Sequence, residues 1–463
     1  PAIFNRHYST RLALPYPVLD NLDPGQVARF EEQFAGAVGT DLEIQSVRVY
    51  PRETTAAHVL GYLRRDDSSA EGEESFFSYR LPDYKGVVGI EGCFDQQLRG
   101  QAGAKSVLVN NLGYRQSENV WAEAQPGHNV ALTLDLRIQE AAERALRSRV
   151  DKQVRGAVVV MDVQTGDILA LVSSPVADPN DPHRDMQFWN DPKLRPQINR
   201  ATQENYAPGS IFKTVVALAC LESGLNPKTE INSPGHIYIG RRLVKDLAPP
   251  GNYDFRRALL KSSNTYFITN GIRAGVQNII KLAQRLHLGE RANIPTRQET
   301  SGMLPSLKRV NSGWRDGDTA NICIGQGEIA VTPLQMAVMA SAFANGGKVL
   351  WPRLVDRIEP QDPMSGEETT VFAGGRVRDE LGVHPRNLKI LCDAMLADTE
   401  DPEGTAYKAF RDYYRNAGMM RVCGKTGTAE VQDVHGRDTD QTTWFLSFAP
   451  YERPKYAVVV MVE

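Results

Sequence analysis

Two valine-rich blocks far apart in the chain constrain its fold more than any other feature. The first, GAVVVMDVQTGDILALVSSP from Gly156, holds two β-branched runs around the turn Gln164-Thr165-Gly166-Asp167. That is the pattern of an antiparallel hairpin. The second lies at the far end, where QTTWFLSFAP and KYAVVVMVE flank the turn YERP. Between them the patterning is mostly helical, as in the apolar run from Ile211 to Gly224, which reads as a buried helix closed by a glycine. Strands at both ends with helices between predict one antiparallel sheet closed by the two ends of the segment, with a helical insert. The fold class is α+β.

At 463 residues the chain is long enough for two domains. Up to about residue 111 short apolar runs alternate with turn-rich segments, and the polar stretch Arg64 to Ser75 reads as a mobile loop. A more regular pattern follows: a strand over Asn129 to Leu134, then a helix capped by Asp135. We therefore divide the chain into residues 1–126, a first domain with its linker, and residues 127–463. Pro-rich pieces such as SSPVADPNDPH and DLAPPGN read as surface loops.

Composition excludes several classes. With 41% hydrophobic and 24% charged residues and a net charge of -3, the chain has the make-up of an ordinary globular protein. Its basic residues are dispersed among acids, with no stripe for nucleic acid. The five cysteines never fall in a CxxC spacing and read as small buried hydrophobes. The eight histidines form no HExxH or paired spacing, so neither a metal nor a cofactor is signalled. No run of 18 apolar residues occurs, and the first residues lack a signal-peptide layout.

Three short motifs carry the chemistry. In NYAPGSIFKT, Ser210 and Lys213 fall three apart in the first turn of the buried helix, which puts a hydroxyl nucleophile on the same face as an amine. S-x-x-K alone means little, since about two are expected by chance in a chain this long. In LLKSSNTYF, Ser262 and Asn264 sit inside a segment that reads as helical, Phe255 to Ile272. In VCGKTGTAE, Lys425, Thr426, Gly427 and Thr428 suit a sheet edge that admits another backbone and a carboxylate. Two further features read more plainly. GDTANICIGQG is a turn and packing segment bordering the site, and Trp314 either lines the cleft or fills the core.

The order and spacing of the three motifs match the serine-active penicillin-recognising enzymes. With ATQENYAPGSIFK, WRDGDTANICIGQGEIAVTPLQMA, ANGG and GKTGTAE followed by WFLSFAP, the second part resembles the transpeptidase domain of class B penicillin-binding proteins. RVYPRETTAAHVLGYL and GVVGIEGCFDQQLRGQAG resemble the non-catalytic pedestal of that class, and WNDPKLRPQINRATQ is most similar to its elongation-type members.

The resemblance implies a D,D-transpeptidase that cross-links peptidoglycan stem peptides through a serine acyl-enzyme and is acylated by β-lactams. Ser210 is the implied nucleophile, Lys213 the base, Ser262 a proton relay and Asn264 a holder of Lys213 and the substrate amide. The backbone N–H groups of Ser210 and Thr428 form the implied oxyanion hole. Lys425 is also implied as catalytic, its charge favouring the free amine of Lys213, and with Thr426, Gly427 and Thr428 it is implied to bind the substrate carboxylate. The resemblance also implies an inner-membrane anchor, a periplasmic catalytic domain, a SEDS-type membrane glycosyltransferase partner and a scaffold protein on the pedestal. Alternatives are a D,D-carboxypeptidase, a β-lactamase and a penicillin-sensing receptor domain. Ser210→Ala is expected to fold yet lose all acylation by a labelled penicillin, and retained labelling would remove Ser210 as the nucleophile.

Overall fold

A computed structural model describes residues 22–34, 47–66, 83–110, 115–147, 154–182, 184–416, 420–432 and 438–463, with a few isolated positions before residue 47. Five strands form the central sheet: β1 (Gly156–Asp162), β2 (Ile168–Ser174), β3 (Cys423–Gln432), β4 (Asp438–Ala449) and β5 (Tyr456–Val462). All pairings are antiparallel, in the spatial order β3-β4-β5-β1-β2. The two valine-rich blocks therefore meet directly, with Tyr456 opposite Asp162 and Val462 opposite Gly156. The first block is a hairpin whose turn is held by Asp162 Oδ1, which accepts from the N–H groups of Gln164 at 2.8 Å and Thr165 at 3.0 Å.

Both faces of the sheet are covered, and the period-two geometry of a strand sorts the side chains between them. Val158, Val160, Ala170 and Val172 pack with Ala142 and Leu146 of helix α1 (Leu136–Arg147). Asp135 starts this helix as expected, accepting from Arg137 N at 2.9 Å and Ile138 N at 3.3 Å. Ala157, Val159, Met161, Ala457 and Val459 face the main core, which they share with α2 (Lys213–Glu222), α3 (Asn264–Ala274), α4 (Pro333–Ala344) and α5 (Pro385–Glu400). Lys213 to Leu221 are all buried, so α2 runs through the centre of the domain. It ends at Gly224, whose φ of 90° supplies the left-handed stop.

Two sequence expectations need correction. The segment Phe255 to Ile272 is not one helix: a short helix, Phe255–Leu260, stops and α3 starts afresh at Asn264. Of the polar stretch Arg64 to Ser75, residues 64–66 belong to a strand, Leu63–Asp66, paired with Asp83–Gly86, and the remainder lies outside the described residues. A second hairpin of the first domain pairs Ala104–Val109 with Arg115–Ala122. The seam between the two parts is apolar at its centre, because Val59 and Ile90 are buried within the main core. Around it Gly89 N donates to Thr296 O at 2.9 Å, and Ala56 N donates to Glu143 Oε1 at 2.9 Å.

Ser210 lies in a 3-10 turn, Gly209–Phe212, that leads directly into α2. This turn is pressed between β3 and the loop after the helix Asp316–Cys323. Gly209 N donates to Gly325 O at 2.9 Å, and both glycines have left-handed φ values, 55° and 71°. A Cβ on Gly325 would sit 2.1 Å from Gly209 O, and one on Gly209 would sit 2.5 Å from Thr428 O. Neither contact is possible without moving a backbone. GDTANICIGQG thus borders the site as expected, as a helix plus a glycine turn. Gly325→Ala is expected to destabilise the protein by about 1–3 kcal/mol; an unchanged denaturant midpoint would show that the turn has room.

Candidate active site

The 3-10 turn bearing Ser210 is anchored on both sides. Tyr206 and Val331 exchange backbone hydrogen bonds at 2.9 and 2.8 Å, and Trp444 Nε1 donates to Ala207 O at 3.1 Å. Upstream, the fully buried Arg200 donates to Glu463 Oε1 at 2.7 Å and to Leu194 O at 2.8 Å. Tyr206 Oη donates to the same Glu463 oxygen at 2.6 Å. Burial and that carboxylate push the Tyr206 phenol far above its usual range, so it remains a donor.

Ser262 occupies the end of the short helix. Ser263 N donates to Ala258 O at 2.9 Å and Ser262 N to Leu259 O at 3.2 Å, the paired bonds of a Schellman ending. Its left-handed position, usually a glycine, is taken by Ser262 with φ 57°. Such a conformation costs a residue with a side chain about 1 kcal/mol or more. It turns both the carbonyl and the hydroxyl of Ser262 toward Lys213. Ser263 then caps α3, its Oγ accepting from Tyr266 N at 3.2 Å.

Lys213 is the junction of the site. Its Nζ donates to Ser262 O at 2.7 Å and to Asn264 Oδ1 at 2.6 Å, and lies 3.2 Å from Ser262 Oγ. Asn264 Nδ2 donates to Lys245 O at 2.9 Å; a carbonyl only accepts, so the amide is fixed with its oxygen toward the lysine. Lys213 is fully buried, and burial, reinforced by the nearby Lys425 charge, holds its amine well below the usual lysine range, with Asp246 opposing. As a neutral amine it satisfies Ser262 O and Asn264 Oδ1 with its two N–H groups and keeps a lone pair for a hydroxyl proton. The spacing argument placed Ser210 beside Lys213. Both are buried, yet among the described residues no hydrogen bond joins them, and the amine donates instead to Ser262 O and Asn264 Oδ1.

The third motif lies on β3, an outer strand of the sheet. Lys425 is fully buried, its Nζ donating to Thr426 O at 3.0 Å; burial lowers its pKa and Asp398 opposes. A Cβ on Gly427 would lie 2.9 Å from Ile211 Cγ2, so the strand rests on the Ser210 turn. Thr428 O faces Gly209. N–H and C=O of one strand residue point to the same side, which directs Thr428 N–H there too. Among the described residues no group of three or more His, Cys, Asp or Glu side chains could hold a metal.

Comparisons with known proteins identify the family. Residues 156–463 match the penicillin binding protein transpeptidase domain, and residues 3–132 match the penicillin-binding protein dimerisation domain. The chain belongs to the penicillin-binding proteins. It is 30% identical to the peptidoglycan D,D-transpeptidase MrdA of Escherichia coli K12, over 96% of this chain and 73% of that protein. Among solved structures, the complex of penicillin-binding protein 2 with MreC from Helicobacter pylori matches with a TM-score of 0.75 and 25% identity, covering 100% of this chain and 86% of that one. Penicillin-binding protein 3 of Mycobacterium tuberculosis with ampicillin matches with a TM-score of 0.70 and 26% identity, covering 90% and 83%.

In this penicillin-binding protein the site extends beyond the three motifs. Thr405 Oγ1 donates to Asp398 Oδ1 at 2.6 Å, so its 2.5 Å contact with Thr426 Oγ1 has Thr426 as the donor. Asp246, in the piece read as a surface loop, is bonded to the turn of Ser263 and Asn264. Neither was legible, because each acts on residues some twenty positions away with no motif of its own. Trp314 is half-buried, donating to Thr319 Oγ1 at 2.9 Å and packing on the main core.

Unfolded, a lysine keeps its proton up to about pH 10.5, whereas folded Lys213 releases it earlier. Between those values the unfolded chain binds more protons, so stability rises with pH. The wild type is therefore expected to gain melting temperature relative to Lys213→Met as pH rises toward about 10.5, the gain starting where folded Lys213 releases its proton. A constant difference would mean that Lys213 is not held neutral.

Proposed function

We propose that this protein is a serine-type peptidoglycan D,D-transpeptidase of cell-wall elongation. The observation that carries the reading is the fully buried Lys213 amine, bonded to both Ser262 and Asn264 at the base of the Ser210 turn. Its kinship with MrdA supports the assignment to elongation.

Ser210 Oγ attacks the carbonyl between the two terminal D-alanines of a stem peptide, and its proton passes to the Lys213 lone pair. Negative charge on the carbonyl oxygen is met by Ser210 N–H and Thr428 N–H, fixed in place before the reaction begins. As the carbon–nitrogen bond breaks, Lys213 returns a proton through Ser262 to the leaving amine, and D-alanine departs. An amine of a second stem peptide then attacks the acyl-enzyme and releases Ser210 with its proton restored. Lys425, Thr428 and Thr426, whose hydroxyl turns from Thr405 to donate to the ligand, hold the terminal carboxylate, or that of a β-lactam that mimics it.

The Helicobacter complex with MreC supports a scaffold partner, and by the family resemblance that partner contacts the pedestal. A SEDS-family glycosyltransferase is the second proposed partner. The protein is proposed to be anchored in the inner membrane with its catalytic domain in the periplasm; no helix among the described residues is long and apolar enough to cross a membrane.

An intact-mass time course with benzylpenicillin tests the reading. One adduct that persists for many minutes is expected, and none in Ser210→Ala. An adduct that vanishes as penicillin is consumed would mean a β-lactamase, and no adduct would remove the acyl-enzyme mechanism.

A further inference from the structure

We propose that Asp246 is a positioning residue of this active site, locking the turn that carries Ser262 and Asn264 to the loop beneath it so that the Asn264 amide and the Ser262 carbonyl stay aimed at Lys213. The inference rests on the acyl-transfer reading above.

Five hydrogen bonds converge on the Asp246 carboxylate. Oδ1 accepts from Asn264 N at 2.6 Å and Ala248 N at 3.2 Å, while Oδ2 accepts from Ser233 Oγ at 2.7 Å, Ser263 Oγ at 2.8 Å and Thr265 N at 3.2 Å. The loop is fixed in turn by Asp246 N, which donates to Gly235 O at 2.9 Å. A helix begins with N–H groups that lack partners inside it. Here those of Asn264 and Thr265 go to Asp246, that of Tyr266 goes to Ser263 Oγ, and that of Phe267 reaches Ser263 O at 3.5 Å. The carboxylate also lies at the end of α3 where the helix dipole favours an anion.

A neutral residue could satisfy part of this network, so the charge needs its own reason. Although burial acts to raise it, the Asp246 carboxyl is held below the usual carboxylate range by the donors around it, and it stays ionised at neutral pH. It is then the anion opposing Lys425 in the field at Lys213. The groups facing that amine are Lys425 from β3, Asp246 from the loop, Cys323 from the helix Asp316–Cys323, Ser262 and Asn264 from the turn, and the Phe267 ring with its centroid at 6.0 Å. Of these, Asp246 alone carries a negative charge at neutral pH, since burial pushes the Cys323 thiol up.

Acylation of the full chain by benzylpenicillin, measured as a second-order rate constant from about pH 5 to about pH 10, separates positioning from mere structure. Asp246→Asn is isosteric and should fold, but its amide cannot accept from every donor and carries no charge. Its rate constant is expected to fall about 10- to 100-fold, the scale of a misplaced catalytic group. The acidic limb of its profile should move to lower pH, because Lys213 loses its nearby anion. Ser263→Ala keeps the charge and cuts one link between Asp246 and the turn, so it should slow acylation with the limb unmoved. Acylation of Asp246→Asn at the wild-type rate with an unmoved limb would overturn the proposal. So would a loss that only tracks the unfolded fraction by melting curve. Should Asp246→Asn fail to fold, a wild-type rate in Ser263→Ala does the same. A wild type that fails to acylate would instead remove the acyl-transfer reading.

Discussion

An amine sealed from water governs the arrangement of the whole catalytic half. Burying an ammonium is costly, so Lys213 releases its proton well before an exposed lysine would. That state exists only while Lys213 remains inside: the core must close over α2, and each polar atom near Nζ must already be placed to receive its N–H groups. Ser262 O and Asn264 Oδ1 do this. The helix carrying the lysine is accordingly buried on every side, unlike an amphipathic surface helix with its polar stripe in water.

Assembly of the site is a long-range event. β1 and β5 pair across nearly the whole catalytic half, and only then does β3 lie beside the Ser210 turn. The contact there is backbone on backbone, which explains the left-handed glycines Gly209 and Gly325, where side chains would otherwise hold the turn away from β3 and from the loop after the helix Asp316–Cys323. Arg200 and Tyr206 extend the same logic: both bond Glu463, so the segment leading into Ser210 is fastened to the end of β5. The pedestal is joined to this assembly through apolar side chains as well as polar ones, with Val59 and Ile90 inside the shared core.

Much of this was legible in the sequence, for reasons that are local. Period-two runs of valine reported the hairpin and its distant partner, an apolar run reported α2, and an aspartate before an amphipathic stretch reported the start of α1. The three motifs were visible because each is compact. Reading failed where the determinant is non-local or where composition hides a break. Phe255 to Ile272 has no glycine or proline at its interruption, so nothing marked Ser262 as left-handed. Asp246 and Thr405 carry no signature, since their partners lie elsewhere in the chain. Spacing alone also gave no sign that the Lys213 amine bonds the second motif, Ser262 and Asn264.

The left-handed Ser262 sets backbone ease against side-chain chemistry. Folding alone would prefer glycine at that position, which adopts the conformation without strain and ends the helix equally well. Serine instead places a hydroxyl 3.2 Å from Lys213 Nζ. At Ser262, therefore, the substitution that would most relax the backbone, serine to glycine, is also the one that would take the hydroxyl away from Lys213.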